Sequence, residues 1–108
     1  HRVDRRQRQM CIRDRSITEC VRNGFCTINA NKTYQGSTNP FINKEVAGYE
    51  PPEPSADSYG TLVGRVGTNV VSHGYCMVAP RKLLISFNGY GNSVTISTNI
   101  TYPIKYGA

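Results

Sequence analysis

The clearest pattern in the chain is a strict alternation near its end. Val94, Ile96, Thr98, Ile100 and Tyr102 interleave with Ser93, Thr95, Ser97, Asn99 and Thr101. A period of two places each set on its own face of a strand, so this stretch predicts a long half-buried strand, stopped at Pro103. Upstream, Pro80 breaks the chain before Lys82–Phe87, where Leu83, Ile85 and Phe87 share one face. Gly60–Gly67 has apolar residues at both parities between bounding glycines and predicts a short strand in the middle of a sheet. Val70–Val71 and Tyr75–Val78 predict two further short strands around Ser72-His73-Gly74, and Asn88-Gly89-Tyr90-Gly91-Asn92 predicts a turn.

The first half is less regular. Asn23-Gly24, flanked by Thr18–Arg22 and Phe25–Ile28, signals a hairpin with two possible registers. A two-residue turn opposes Cys20 to Thr27 and sends Cys20 and Cys26 to opposite faces. A three-residue loop with a bulge at Gly24 opposes Cys20 to Cys26 and allows a cross-strand disulfide, which needs a Cβ separation of about 4 Å. The second register is favoured if the protein is exported, so Cys20 and Cys26 are the expected disulfide. Residues 29–57 are rich in turn formers, and the proline-rich stretch 48–58 is expected to be an exposed loop. Its prolines cannot donate to a ladder. It is either a recognition loop presenting Tyr49, Glu50 and Asp57 or a solvated connection.

No apolar spacing of helical period is sustained, Thr, Asn, Gly, Tyr, Val and Ile are plentiful, and no apolar run is long enough to insert in a membrane. The expected fold class is all-β, with residues 16–108 as a single antiparallel β-sandwich domain or fragment.

Residues 1–15 call for separate treatment. Arg5–Asp14 back-translates codon for codon to CGT CGG CAG CGT CAG ATG TGT ATA AGA GAC, which closely resembles a transposase adapter used in sequencing libraries. The flanking residues fit the same frame back to His1 and on to Arg15. The segment is therefore treated as non-native, expected to form a loose arm or a helix with few contacts, and the domain as truncated at its N-terminus. The competing reading of its arginines is a basic arm for nucleic acid or an acidic membrane surface.

Setting the segment aside changes the composition. It carries six of the 13 Lys and Arg and two of the 7 Asp and Glu, so the formal net charge falls from +6 to +2. A charge of that size is no footprint for nucleic acid, and no nucleic-acid partner is expected. Cys11 and His1 also go, leaving Cys20, Cys26, Cys76 and a single histidine, His73. Ser72 neighbours His73 but must point to the other face of a strand. No nucleophile elbow, phosphate-binding loop or His-Glu-x-x-His pattern occurs, and Glu50 and Glu53 sit in a loop without the burial that raises a carboxyl pKa. Neither an enzyme nor a metal site is expected. Asn31-Lys32-Thr33 and Asn99-Ile100-Thr101 match the N-glycosylation acceptor pattern.

The order Gly60-Thr61-Leu62-Val63-Gly64-Arg65-Val66-Gly67, then Ala79-Pro80, then Lys82–Asn88, then Asn92-Ser93-Val94-Thr95-Ile96 resembles the LecA-like (PA-IL-like) galactophilic lectins and their galactose-binding-like β-sandwich relatives. The resemblance covers Tyr59 to Ile100. It implies a jelly-roll or galactose-binding-like sandwich and a carbohydrate ligand. In that family an Asp follows the Asn matched by Asn88 and helps bind calcium, but here that place is Gly89 and the loop is short. Calcium needs six to eight oxygen ligands, and only Asn88 and Asn92 carry over, so no cofactor is expected. A calcium-free sugar site would use Tyr90 for stacking, with Asn88, Asn92 and His73 as hydrogen-bonding groups. The alternative for this loop is a tight glycine-rich hairpin with a surface tyrosine.

The function expected is thus a non-catalytic, extracytoplasmic or secreted carbohydrate-binding module. Its rival is a structural or interaction subunit of a surface appendage, adhesin or capsid, oligomerising through strand edges.

Overall fold

The computed structural model describes residues 10–14, 16–35, 39–89 and 93–105. Eight strands follow in chain order: β1 (Met10–Asp14), β2 (Ile17–Arg22), β3 (Phe25–Tyr34), β4 (Phe41–Glu45), β5 (Ser58–Val66), β6 (Asn69–Ala79), β7 (Lys82–Phe87) and β8 (Val94–Pro103). Among the described residues there is no helix, and the all-β class is as expected. All eight strands join in one antiparallel sheet in the order β1-β2-β3-β8-β5-β6-β7-β4.

Period-two alternation gives this sheet one apolar face. Val94, Ile96, Thr98, Ile100 and Tyr102 of β8 are buried between Cys26, Ile28 and Ala30 of β3 and Leu62 of β5. Cys76 and Val78 of β6 and Leu83, Ile85 and Phe87 of β7 continue the same core, with Ile17 of β2 at the far side. Each fully buried Leu, Ile or Phe contributes roughly 1.5–3 kcal/mol. Strand β8 spans the predicted alternation, and β5 is central, between β8 and β6.

Three sequence expectations change. The two short strands around Ser72-His73-Gly74 are one continuous β6, because Gly74 lets β7 approach where a side chain would not fit. A Cβ there would run into the carbonyl oxygen of Ser86 and lie 3.1 Å from the Phe87 Cα. Strand β3 runs through Asn31-Lys32-Thr33, a stretch that reads as a turn. Thr27, Asn29, Asn31 and Thr33 sit on the outer face and pair with β8 in a side-chain ladder: Thr27 with Thr101 at 2.9 Å, Asn29 with Asn99, Asn31 with Ser97 at 2.6 Å, and Thr33 with Thr95 at 2.9 Å. Lys32 lies on the other face, opposite Ile96.

The third change is the 48–58 stretch, which is packed. Pro51 and Pro54 are buried, Tyr49 half-buried. The Tyr49 hydroxyl donates to Glu19 Oε1 at 2.6 Å, and Tyr102 donates to the Pro52 carbonyl at 2.8 Å. Backbone bonds from Ser55 to Pro103 and from Lys105 to Glu53 tie it down further. Glu50 meets Arg81 in an exposed ion pair at 3.7 Å, and Asp57 is exposed.

The cysteine pairing is corrected as well. Asn23 (φ 54°) and Gly24 (φ 81°) are both left-handed, the geometry of a two-residue type I′ turn. Cys20 therefore opposes Thr27, and Cys26 opposes Val21. Cys20 and Cys26 lie on opposite faces and do not bond. Cys20 instead forms a disulfide with Cys11, its cross-strand partner in β1, with Cα atoms 4.0 Å apart. Cys26 and Cys76 are free and buried.

That pairing also gives structure to part of the segment expected to be a loose arm. Residues 10–14 extend the sheet by one strand, through the backbone groups that the edge of β2 would otherwise leave open. Cys11, Ile12 and Arg13 are all exposed.

Candidate functional site

Two of the residues singled out in the sequence meet on the outer face of the sheet. In β6 the buried Ser72 faces inward, so His73 faces solvent, and Tyr75, two residues on, shares its side. Asn88 follows β7 directly. Its backbone N–H donates to Ser72 Oγ at 2.9 Å, which fixes the end of β7 beside His73. Ser86 Oγ accepts from the backbone N–H of Asn43 at 2.9 Å and holds β4 alongside. Asn43 is left-handed (φ 51°), and the β4–β7 register shifts between Phe41 and Lys44. This irregularity leaves Ile42 70% exposed.

The result is a groove of about 350 Å³ lined by His73, Tyr75, Asn88, Ser86, Phe41 and Ile42, with Pro40, Gly74 and Phe87 completing it. Phe41 stacks on Phe87 with centroids 4.5 Å apart and planes 9° apart, and Tyr34 leans on both rings at 5.9 Å. Burial raises the Tyr34 hydroxyl above its ordinary pKa. The side chains of His73 and Asn88 make no hydrogen bond or ion pair with the described residues, and so keep their donors and acceptors for a ligand.

Tyr90 and Asn92, the other two expected ligand-binding residues, lie outside the described residues. Tyr75 and Ile42 are additions that the sequence did not single out. An exposed aromatic at an outer position of a predicted strand was the available signal for Tyr75; nothing marked Ile42, which depends on the β4 irregularity.

A second recess, about 480 Å³, lies among Glu45, Gly48, Tyr49, Glu50, Arg81 and Lys82. Its charges are mixed in sign, and the Arg81–Glu50 pair is solvent-exposed, an arrangement that contributes little energy. Among the described residues no group of three or more His, Cys, Asp and Glu stands together to hold a metal ion, and no helix is long and apolar enough to cross a membrane. No family model, curated protein or solved structure compared with this chain matches it.

What the groove offers chemically is an imidazole and an amide, both hydrogen-bonding, with the hydroxyl-bearing ring of Tyr75 beside them and an apolar floor. Sites for small neutral ligands are built in this way, from apolar lining and a few polar groups that orient the ligand.

Proposed function

We propose that the chain is a non-catalytic carbohydrate-binding module and that the groove between β4, β6 and β7 receives the sugar. The observation that carries this reading is the convergence of His73 and Asn88, both without protein partners among the described residues, beside the exposed ring of Tyr75. A pyranose has one apolar face and a rim of hydroxyls, so a ring to stack on and polar groups at its edge are complementary to it. No calcium is required, because the hydrogen bonds come from side chains alone. An extracytoplasmic setting is part of this proposal. The Cys11–Cys20 disulfide accords with it, but Cys11 belongs to the segment read above as non-native, so the groove and not the disulfide carries the reading.

The test is glycan-array binding with and without a chelator, for the wild type and for His73→Ala and Asn88→Ala. Saturable binding that ignores the chelator and weakens about fivefold or more in each variant is expected, the loss of roughly one hydrogen bond. Absence of saturable binding to any glycan would sink the reading.

A second reading rests on a different observation. The sheet ends at β4 and, on the other side, at β1, which belongs to the segment read above as non-native and leaves β2 as the native edge; unpaired edges template strand addition. A structural subunit assembling through these edges would show concentration-dependent oligomers in light scattering. A monomer across the micromolar range would remove this alternative.

A further inference from the structure

Beyond the groove, the outer face carries an aromatic strip. His73 and Tyr75 succeed one another along β6, and Tyr59 of β5, opposite Met77, lies diagonally past Tyr75. Tyr59 is 65% and Tyr75 42% exposed, with ring centroids 5.9 Å apart and planes inclined at 53°. Neither hydroxyl is hydrogen-bonded to the described residues. From His73 to the row shared by Met77 and Tyr59 is four residues of strand, about 13 Å, which is longer than one pyranose ring. The side chains along this path, Asn88, His73, Ser86, Tyr75, Met77 and Tyr59, include no carboxylate, lysine or arginine. The paired charges of Arg81 and Glu50 line the other recess.

Resting on the carbohydrate reading above, we propose that the ligand is a single neutral polysaccharide chain. It binds as an oligosaccharide segment with one unit in the groove and the following units over Tyr75 and Tyr59. The ring geometry selects against a flat ligand: two rings 53° apart cannot both lie against one crystalline face, whereas a chain that rotates between successive units can stack on each in turn. Length selects against a monosaccharide, which would reach either the groove or the ring pair. Charge favours a neutral polymer over the Tyr75–Tyr59 part of the strip, whose own side chains include no lysine or arginine to compensate an anion's lost hydration. The nearby cations are Lys44, over the Phe41 ring at the groove, and Arg65, tied to Ser97, and the polygalacturonate titration decides whether they admit an anionic chain.

Calorimetric titration of the full chain tests this with β-1,4-linked oligosaccharides of glucose, xylose and mannose, one to four units long. Sedimentation with microcrystalline cellulose and titration with polygalacturonate run in parallel. In at least one neutral series, affinity is expected to rise about tenfold or more from monosaccharide to tetrasaccharide. Tyr59→Ala should abolish that rise while leaving the monosaccharide affinity within about twofold; Tyr59 is exposed, and an unchanged circular dichroism spectrum confirms that the sheet survives. Equal affinity at all lengths, an unchanged rise in Tyr59→Ala, retention on cellulose without binding of soluble chains, or preference for polygalacturonate would each overturn the proposal. Length-independent binding would leave the carbohydrate reading standing, whereas no binding to any sugar would end both.

Discussion

Tyr49 donates its hydroxyl hydrogen to Oε1 of Glu19 across 2.6 Å, joining the proline-rich segment to the inner side of β2. Glu19 occupies an inner position, opposite Ile28, where a carboxylate would lack a partner if the segment did not cover it. Tyr49→Phe keeps the ring and removes only this bond, leaving a half-buried acceptor unsatisfied. We expect a loss of about 1–3 kcal/mol, measured as a lower urea midpoint, together with faster proteolysis within residues 48–58. A variant as stable and as protease-resistant as the wild type would show that the contact does not hold the segment.

Gly74 makes a sharper demand on its position. The Ser86 carbonyl and the Phe87 Cα occupy the space a Cβ needs, and both are backbone atoms that cannot swing away like the end of a side chain. Gly74→Ala should therefore separate β6 from β7, costing on the order of 3 kcal/mol or more, and the groove should be lost with it. The matched control is Gly67→Ala, where a Cβ would meet nothing within 4 Å and only the left-handed backbone (φ 63°) resists the change. Denaturant titration should rank Gly74→Ala well below Gly67→Ala; equal stability would contradict the packing argument.

These two sites show what can and cannot be read from the chain. β8 was legible because alternation and one-sided burial are the same fact seen in sequence and in space, and β7 for the same reason. The far half of β3 was not, because Asn31, Lys32 and Thr33 are turn formers by composition and become strand by pairing with Ser97, Ile96 and Thr95 of β8, with side-chain bonds from Asn31 and Thr33 added, more than sixty positions away. β4 was hidden by its exposure: an edge strand with the burial pattern of Ile42 to Glu45 has no apolar periodicity to detect. The hairpin at Asn23-Gly24 was visible but its register was not, since either turn length fits the local residues, and the disulfide pairing followed the register. His73 and Asn88 could each be named from sequence. That they line one groove depends on the β6–β7 register through Gly74, a long-range relation with no local signature.

Reduction of the Cys11–Cys20 disulfide should be a local event. The bond lies on the outer face, and Cys11, Ile12 and Arg13 are exposed, so none of these three side chains is withdrawn from the core when it breaks. Hydrogen exchange is the suitable measurement: on reduction, amides of β1 and of the β1-facing edge of β2 should lose protection, while those of β8 and β5 keep theirs. Global loss of protection on reduction would mean that β1 supports the whole sheet.

The core also predicts a direction for pH. Cys26 is fully buried, and burial, reinforced by the nearby Glu19 charge, raises its thiol from an ordinary 9.0 to about 11, although its hydrogen bond with Tyr102 pulls the other way. Burial likewise raises the hydroxyls of Tyr102 and Tyr49 above their ordinary 10.0. In each case the folded state holds its proton more tightly than the unfolded chain. The stabilisation is then fully present below pH about 9 and is lost as pH rises through about 11. For Cys26 alone a shift of this size corresponds to roughly 2–3 kcal/mol. Thermal unfolding followed from about pH 7 to about pH 11 should give a midpoint that is flat at first and then falls. Cys26→Ala should lower the plateau by the cost of a small cavity but make the descent shallower, because one of the protons that drives it is gone. A profile as steep in Cys26→Ala as in the wild type would assign the alkaline loss to the other groups that burial shifts upward, Tyr102, Tyr49, Tyr34 and Cys76, and a flat wild-type profile would refute the upward direction of these shifts.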